Sequence, residues 1–274
     1  MRKLLAVSGG IDSVVMLHLF RADKEAVVVH FDHGIRESSA EDCAFVERLA
    51  NEYGLPFYSK CAELGVKCSE EKARASRYEF FESLLETPED KIYTAHHQND
   101  LLESAVINLL RGTGWRGLAP LRNPKIERPL LSWTKSDIYH YATEHNLRFR
   151  LDQTNNEDRY LRNRVRLKMS ELPEIKKQKL LKLCMQQRAL ADEIEGVLEL
   201  SAPRGPQFPR EFFRELPDEL ALEYLRQCLS VSMTRPQLDR ALVAIRDFLP
   251  GKRFSLDKNH FLKMNKYYFV IEKN

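Results

Sequence analysis

The segment Ser8-Gly-Gly-Ile-Asp-Ser13 has the residue types of a phosphate-binding loop. Two glycines let the backbone approach an anion closely, successive N–H groups can point at its oxygens, and the serines add hydroxyl donors. An apolar segment of strand length precedes the loop and a helical pattern follows it, so a helix N-terminus adds partial positive charge. An ordinary glycine turn is the structural alternative. We expect the nucleotide phosphates to be bound by Ser8, Gly9, Gly10, Ile11, Asp12 and Ser13.

Four carboxylates are candidates for catalysis. Asp12 would repel a phosphate unless a cation lay between them, so its charge implies Mg²⁺, although the sequence does not identify the metal ligands. Asp32 ends a predicted strand, while Asp100 and Glu103 lie three residues apart at a predicted helix start and so share one face. Carboxylates that converge on one crevice are costly unless cations neutralise them. A helix cap or a solvated surface is the alternative for any one of them.

The adjacent residues His96 and His97 suggest a metal site at first sight. Neighbouring residues at a strand end point to opposite sides, however, and no cysteine or third histidine lies at a zinc-ligand spacing. We therefore expect His96 to lie near the bound nucleotide and His97 to pack in the interior.

Positive charge is concentrated in the middle of the chain, where a helical pattern runs from residue 158 to residue 196. Such a basic helical surface is typical of contact with an RNA backbone, with an ordinary solvated helix as the alternative. Trp115 in a glycine-rich loop could stack on a base or pack within its loop. The candidate RNA-binding residues are Arg74, Arg77, Arg111, Arg162, Arg164 and Arg166.

Apolar segments of strand length alternate with amphipathic segments over the first 110 residues. Nearly continuous apolar strands indicate a sheet that is covered on both faces, and the alternation predicts a doubly wound, mostly parallel α/β sheet. Strands are predicted at residues 3–7, 26–31, 55–59 and 91–95, and helices at 13–21, 39–53, 70–85 and 99–110. A cap at Ser38 or Ser39 starts the second of these helices, and Gly54 ends it.

The rest of the chain has a different pattern. A helix is predicted at residues 135–145, and the proline-rich segment 201–209 is the natural linker. Beyond it, two helical segments at 217–229 and 235–248 precede a predicted hairpin of 253–256 with 267–271. These elements predict a small α+β domain at the C-terminal end.

Composition sets limits on the class of protein. A chain of 274 residues with 43% hydrophobic residues accommodates one large domain and a smaller one. Its 5 cysteines are widely spaced and form no Cys-x-x-Cys, so we expect neither a disulfide framework nor a zinc cluster. No signal peptide or membrane span is predicted, and we expect a cytoplasmic protein with no membrane partner. The net charge of +3 does not by itself identify a partner.

The phosphate-binding segment resembles the PP-loop of the N-type ATP pyrophosphatases, which cleave ATP to AMP and pyrophosphate. Further motifs follow along the chain: Val29-His-Phe-Asp-His-Gly-Ile-Arg36, Ala73-Arg-Ala-Ser-Arg-Tyr-Glu-Phe-Phe81, Thr94-Ala-His-His-Gln-Asn-Asp-Leu-Leu-Glu-Ser104, Leu109-Leu-Arg-Gly-Thr-Gly114, Arg128-Pro-Leu-Leu131, Asp152-Gln-Thr-Asn155 and Arg162-Asn-Arg-Val-Arg166. In this order and spacing they resemble the tRNA(Ile)-lysidine synthase family. The resemblance is close over residues 3–166, departs at Ser104, where the family usually has threonine, and includes only the first C-terminal domain of longer members.

This resemblance implies an adenine-nucleotide α-hydrolase-like sheet and a two-step ligase reaction. ATP, with Mg²⁺, would adenylylate O2 of the wobble cytidine in the CAU anticodon of tRNA(Ile). Free L-lysine, held by Asp32, Asp100 and Glu103, would then displace AMP at C2. The resemblance also implies a catalytic domain with its basic extension at residues 1–200 and a tRNA-binding domain at 206–274. A homodimer is possible.

Three other functions are compatible with parts of the sequence. A PP-loop tRNA thiolase needs a cysteine to carry sulfur, but the loop contains none. Amide-forming relatives that make NAD or nucleotides would not need the basic helices. A non-catalytic tRNA-binding module would explain the charge but not the intact phosphate-binding segment.

Overall fold

The computed structural model describes residues 1–32, 39–62, 70–150, 161–229 and 233–273. They form two compact units, Met1–Arg188 and Ala189–Asn274, each with its own core. The helix that was predicted to begin at Ser38 or Ser39 begins at Ser39, whereas Ser38 lies outside the described residues. The motif at 152–155 and residues 33–36 of the motif at 29–36 also lie outside them.

The strands of the first unit are β1 Lys3–Ala6, β2 Ala26–Asp32, β3 Phe57–Cys61, β4 Lys91–Tyr93 and β5 Ile126–Glu127. They form a five-stranded parallel sheet with the strand order β3-β2-β1-β4-β5. The predicted doubly wound sheet is therefore confirmed. Its fifth strand was not predicted, because two residues are too few to show any periodicity.

Helices cover both faces of this sheet. They are α1 Ile11–Leu19, α2 Ser39–Glu52, α3 Glu70–Ser83, α4 Gln98–Leu110 and α5 Lys135–Glu144. On one face, Leu5 and Val28 belong to an apolar cluster with residues of α1, α2 and α5; on the other, Leu4 and Val29 pack with residues of α3. Successive strand residues point to opposite faces, which explains why β1 and β2 are mostly apolar. Gly54 follows α2 with φ +66°, as predicted for a helix-ending glycine.

The basic extension forms two helices. These are α6 Leu161–Ser170 and α7 Glu174–Ser201, and Pro173 lies immediately before α7. Proline is well tolerated at a helix start but not inside a helix, so it separates the two. The chain passes from the first unit into the second within α7.

The elements of the second unit that follow α7 are β6 Phe208–Pro209, α8 Arg210–Glu215, α9 Asp218–Cys228, α10 Arg235–Asp247, β7 Arg253–Ser255, β8 His260–Met264 and β9 Tyr268–Lys273. These helices and Leu198 of α7 pack with a four-stranded antiparallel sheet of order β6-β9-β8-β7. The predicted pairing of 253–256 with 267–271 is wrong, because β8 lies between those strands and pairs with both. A tight turn at 257–259 and another at 265–267 leave room for the extra strand.

Within the described part of the chain, no helix combines the length and the apolar character that crossing a membrane would require.

Arg210 supports the second unit from inside its core. Its side chain is only 2% exposed, and its guanidinium donates hydrogen bonds to the carbonyl oxygens of Ile245, Phe248 and Asn265 at 2.6, 2.7 and 2.8 Å. The first two carbonyls belong to the end of α10, where helical partners are lacking. Arg210 therefore joins the end of α10 to the turn before β9.

We expect Arg210→Ala to lower the free energy of unfolding by about 2 to 4 kcal/mol, because several buried carbonyls lose their donors at once. Urea titration followed by circular dichroism measures the change. Arg240→Ala removes an exposed arginine from α10 and should change stability by less than about 0.5 kcal/mol. Equal effects of the two substitutions would contradict this structural role.

Candidate active site

The predicted phosphate-binding segment, residues 8–13, lies between β1 and α1 and is held by its own serines. Ser13 is 5% exposed; its Oγ accepts a hydrogen bond from the backbone N–H of Ser8 at 3.1 Å and donates one to the carbonyl of Gly10 at 2.9 Å. Gly10 caps α1 without a side chain, so the first N–H groups of the helix remain available to an anion. We call residues 8–13 the phosphate loop.

Contacts from distant segments hold the phosphate loop in place. Gly9 has φ +89°, a conformation that side chains rarely adopt, and its carbonyl accepts a hydrogen bond from the N–H of Arg150 at 2.9 Å. The Arg150 guanidinium in turn contacts Glu41 and Asp42 of α2, both at 2.8 Å. Sequence reasoning missed Arg150, because no local pattern relates residues that are more than 100 positions apart.

A cavity of about 440 Å³ opens beside the phosphate loop at the carboxyl edge of the sheet. Ligands commonly bind at this edge in open α/β sheets. The predicted residues Ser8, Gly10, Asp12, Ser13, Arg77, His96 and Asp100 all line this cavity. Apolar and aromatic residues complete the lining: Ala6, Val7, Phe31, Tyr78, Phe81 and Ala95, with Thr94.

Asp12 is surrounded by residues from two other elements. The Lys135 ammonium, in the first turn of α5, lies 2.6 Å from Asp12 Oδ1. His97 caps α4, and its Nδ1 accepts the N–H of Asn99 at 3.2 Å. The imidazole proton therefore resides on Nε2, which lies 3.8 Å from Asp12 and 3.7 Å from Asp100. His97 is buried as predicted, but it also lies between two candidate carboxylates.

His96 lies in the cavity wall and is a neutral imidazole at neutral pH. Its Nδ1 lies 2.8 Å from the Thr94 hydroxyl. Burial lowers the pKa of His96 to about 4, and the nearby arginines act in the same direction against the opposing effect of Asp100. A neutral imidazole can donate or accept one hydrogen bond without adding charge to the site.

Glu103, one turn further along α4 than Asp100, is enclosed by the basic extension. Its side chain is buried, and Arg166 of α6 contacts both carboxylate oxygens, with Nε at 2.8 Å from Oε1 and Nη2 at 3.3 Å from Oε2. Arg162 Nε lies 4.0 Å from Oε2. Two residues predicted to bind RNA thus contact a residue predicted to bind the substrate ammonium.

The remaining predicted residues lie around the cavity. Asp32 ends β2, where the Cys61 thiol is 3.6 Å from its carboxylate, and neither it nor Glu103 lines the cavity. The guanidinium carbons of Arg74 and Arg77 lie 4.8 and 5.6 Å from the centre of the Tyr78 ring. Arg111 is exposed where α4 ends, and Arg164 is exposed on α6.

The described residues contain no cluster of three histidine, cysteine or acidic side chains suited to hold a metal ion. Mg²⁺, however, is usually bound through one or two carboxylates together with the phosphates of a nucleotide. Asp12 and Asp100, which line the same cavity as the phosphate loop, fit that donor set.

Comparison with known proteins places the phosphate loop in a defined family. The family model described as a PP-loop domain matches residues 1–172, which is more than half of the chain. The tRNA(Ile)-lysidine synthase of Thermotoga maritima is 32% identical over 295 aligned positions, covering 98% of this chain and 70% of that protein. The bifunctional protein TilS/HprT of Listeria monocytogenes is 36% identical over 193 positions, or 64% of this chain. The chain spans only 30% of the length of that protein.

A solved structure supports the fold alone. The U34-tRNA thiolase NcsA of Methanococcus maripaludis, described with its [4Fe-4S] cluster, superposes with a TM-score of 0.54 at 16% identity. The match covers 70% of this chain and 73% of the thiolase.

The low pKa of His96 predicts a dependence of stability on pH. Between its ordinary value of 6.5 and about 4, the unfolded state binds a proton that the folded state does not, so stability falls as the pH falls through this window. From about pH 7 to pH 5 the loss from this residue is about 2 kcal/mol. In urea titrations, the free energy of unfolding of His96→Asn should depend correspondingly less on pH. His140→Asn, at an exposed histidine, should show the same pH dependence as the wild type. Identical curves for all three proteins would refute this account of His96.

Proposed function

The chain belongs to the PP-loop family of the tRNA(Ile)-lysidine synthases, and from that premise we propose that it is itself an ATP-dependent ligase of this kind. It attaches free L-lysine to C2 of the wobble cytidine in the CAU anticodon of tRNA(Ile). The products are lysidine in the tRNA, AMP and pyrophosphate.

One observation carries this proposal: a phosphate loop and a pair of carboxylates face the same cavity. Asp12 and Asp100 line it together with the loop serines, so bound phosphates and a cationic group would meet there. The similarity to a lysidine synthase over 98% of the chain supports the choice of reaction within the PP-loop family.

In the first step, O2 of the cytidine attacks the α-phosphate of ATP and pyrophosphate leaves. The N–H groups at the start of α1 and the Ser8 hydroxyl stabilise the negative charge that develops on the leaving group, and Ser13 holds the loop that presents them. Lys135 adds positive charge beside Asp12. Mg²⁺, held by Asp12 and Asp100 with the phosphates, supplies further charge neutralisation when bound.

In the second step, the ε-amine of lysine attacks C2 and AMP leaves with the former O2. Only the unprotonated amine is a nucleophile, so a carboxylate must accept a proton from the ammonium. Asp32, Asp100 and Glu103 are the residues that we assign to holding lysine. Of these, Asp100 lines the cavity, which supports our assignment of it as the acceptor of that proton.

The tRNA is held mainly through its phosphates. We assign this role to Arg74, Arg77, Arg111 and the basic residues of α6, Arg162, Arg164 and Arg166, with residues 206–274 as a second tRNA-binding domain beside a catalytic domain at 1–200. Exposed arginines on a helix suit a phosphate backbone because each can offer several donors. A cytoplasmic location and a homodimer belong to the same proposal.

Substitutions in the phosphate loop should separate catalysis from folding. Ser13→Ala or Asp12→Asn should reduce the rate of pyrophosphate release by about 10² or more, because oriented groups at developing charge are lost. The matched control is Asp23→Asn, because Asp23 also forms an ion pair with a lysine, Lys3, at 2.5 Å. Asp23 lies before β2, at the edge of the sheet opposite the phosphate loop. Wild-type turnover of either loop variant at saturating ATP would refute the loop assignment.

Incorporation of labelled lysine tests the whole function. Lysine should enter tRNA(Ile) with a CAU anticodon and not the same tRNA with U at the wobble position. Ornithine, shorter by one methylene, should react at least about tenfold more slowly, because its amine no longer reaches C2. Equal incorporation into both tRNAs, or incorporation of sulfur instead of lysine, would rule out the ligase.

A further inference from the structure

The ion pair between Glu103 and Arg166 joins two helices with different proposed tasks. Glu103 lies on α4 and is 3% exposed, whereas the side chain of Arg166 on α6 is 42% exposed. Both carboxylate oxygens are engaged, at 2.8 and 3.3 Å. The Glu103 carboxylate is thus buried, whereas the Arg166 side chain reaches the solvent.

The two proposed tasks of this pair compete with each other. An ammonium bound by Glu103 needs the oxygens that the guanidinium now contacts, and the burial of Glu103 leaves little room for a second cation. A phosphate bound by Arg166 needs the donors that Glu103 now accepts. The pair as it stands therefore represents neither the lysine-bound nor the phosphate-bound arrangement.

We propose that Arg166 is a positioning residue that occupies the ammonium site of Glu103 until tRNA binds, and that a tRNA phosphate draws it away as lysine enters. This inference rests on the proposed function. At Glu103 the lysine ammonium replaces the Arg166 guanidinium, and at Arg166 a tRNA phosphate replaces the Glu103 carboxylate. Neither the buried carboxylate nor the guanidinium is left without an opposite charge, a condition that would be strongly unfavourable.

The surroundings of α6 favour this exchange. Arg164 and Lys168 are exposed on the same helix, and their positive charge attracts a nucleic-acid backbone to α6. Arg162, one turn before Arg166, approaches Glu103 only to 4.0 Å and makes a weaker contact. Arg166 is thus the residue whose movement most changes the charge at Glu103.

The exchange predicts a coupling between lysine binding and tRNA binding that a purely structural ion pair would not produce. If tRNA removes the competitor for Glu103, tRNA must strengthen lysine binding, and lysine must strengthen tRNA binding by the same factor. Couplings of this kind typically amount to about fivefold or more.

The test is calorimetric titration of L-lysine into the protein with and without tRNA(Ile). An ATP analogue with a methylene group between the α- and β-phosphates is present, so that no adenylylation occurs. In the wild type, tRNA should tighten lysine binding by about fivefold or more. In Arg166→Gln the factor by which tRNA tightens lysine binding should fall to near one. In Arg166→Lys, which retains the charge, this factor should be close to that of the wild type.

Arg164→Gln is the matched control, because it removes an exposed arginine two positions away, and residues with this spacing do not share a helix face. It should weaken tRNA binding but leave the coupling factor at the wild-type value. Thermal unfolding of each variant verifies that it is folded. The tightening of lysine binding by tRNA is measured in the wild type itself, so the proposal stays testable even if Arg166→Gln does not fold.

Absence of coupling in the wild type, or equal loss of coupling in Arg164→Gln and Arg166→Gln, would overturn the inference. The labelled-lysine assay separates this failure from a failure of the proposed function. If the wild type incorporates lysine but shows no coupling, only the exchange at Glu103 is refuted. If the wild type incorporates no lysine, both the exchange and the proposed function are refuted.

Discussion

The constraint on which this site depends is the crowding of carboxylates at the carboxyl edge of a parallel sheet. Asp12 and Asp100 line one cavity, and Glu103 lies one helical turn away and is buried. Like charges at such distances in a region of low dielectric constant repel strongly unless opposite charges are near. The protein meets this demand with Lys135 beside Asp12, the Nε2 proton of His97 between Asp12 and Asp100, and Arg166 on Glu103. A substrate or metal cation that enters the site must therefore replace or rearrange charges that are already paired.

The contacts that support the phosphate loop come partly from elements far along the chain. The phosphate loop has few side chains of its own, since two glycines are needed for close approach to an anion. Its shape is maintained by Ser13 from within and by the Arg150 backbone at Gly9 from outside, with the Arg150 side chain fixed to α2. Rigid support of this kind keeps donors oriented before the ligand arrives, which is what makes them effective against developing charge.

Arginine has different uses in the two units. In the second unit, Arg210 is buried and donates to backbone carbonyls of the end of α10 and of the turn before β9, so its role is to hold the fold together. In the first unit, Arg166 pairs with a carboxylate and keeps part of its side chain in solvent. A guanidinium enclosed by carbonyls has no alternative partner, whereas one shared between a buried acid and the solvent can exchange partners. The same residue type therefore serves stability in one place and is available for function in the other.

The sequence by itself determined the local features: the phosphate loop between a strand and a helix, the alternation that makes a doubly wound sheet, and Gly54 at a helix end. Each depends on neighbours within a few positions, which spacing and residue type reveal directly. Tertiary structure alone decided which charges meet. Lys135 contacts Asp12 from 123 positions away, and Arg166 contacts Glu103 from 63. The two-residue strand β5 and the strand β8 between its neighbours were likewise decided by pairing and not by local pattern. Periodicity records which face of an element is apolar, but it does not record which distant side chain that face will meet, because that depends on how the elements pack.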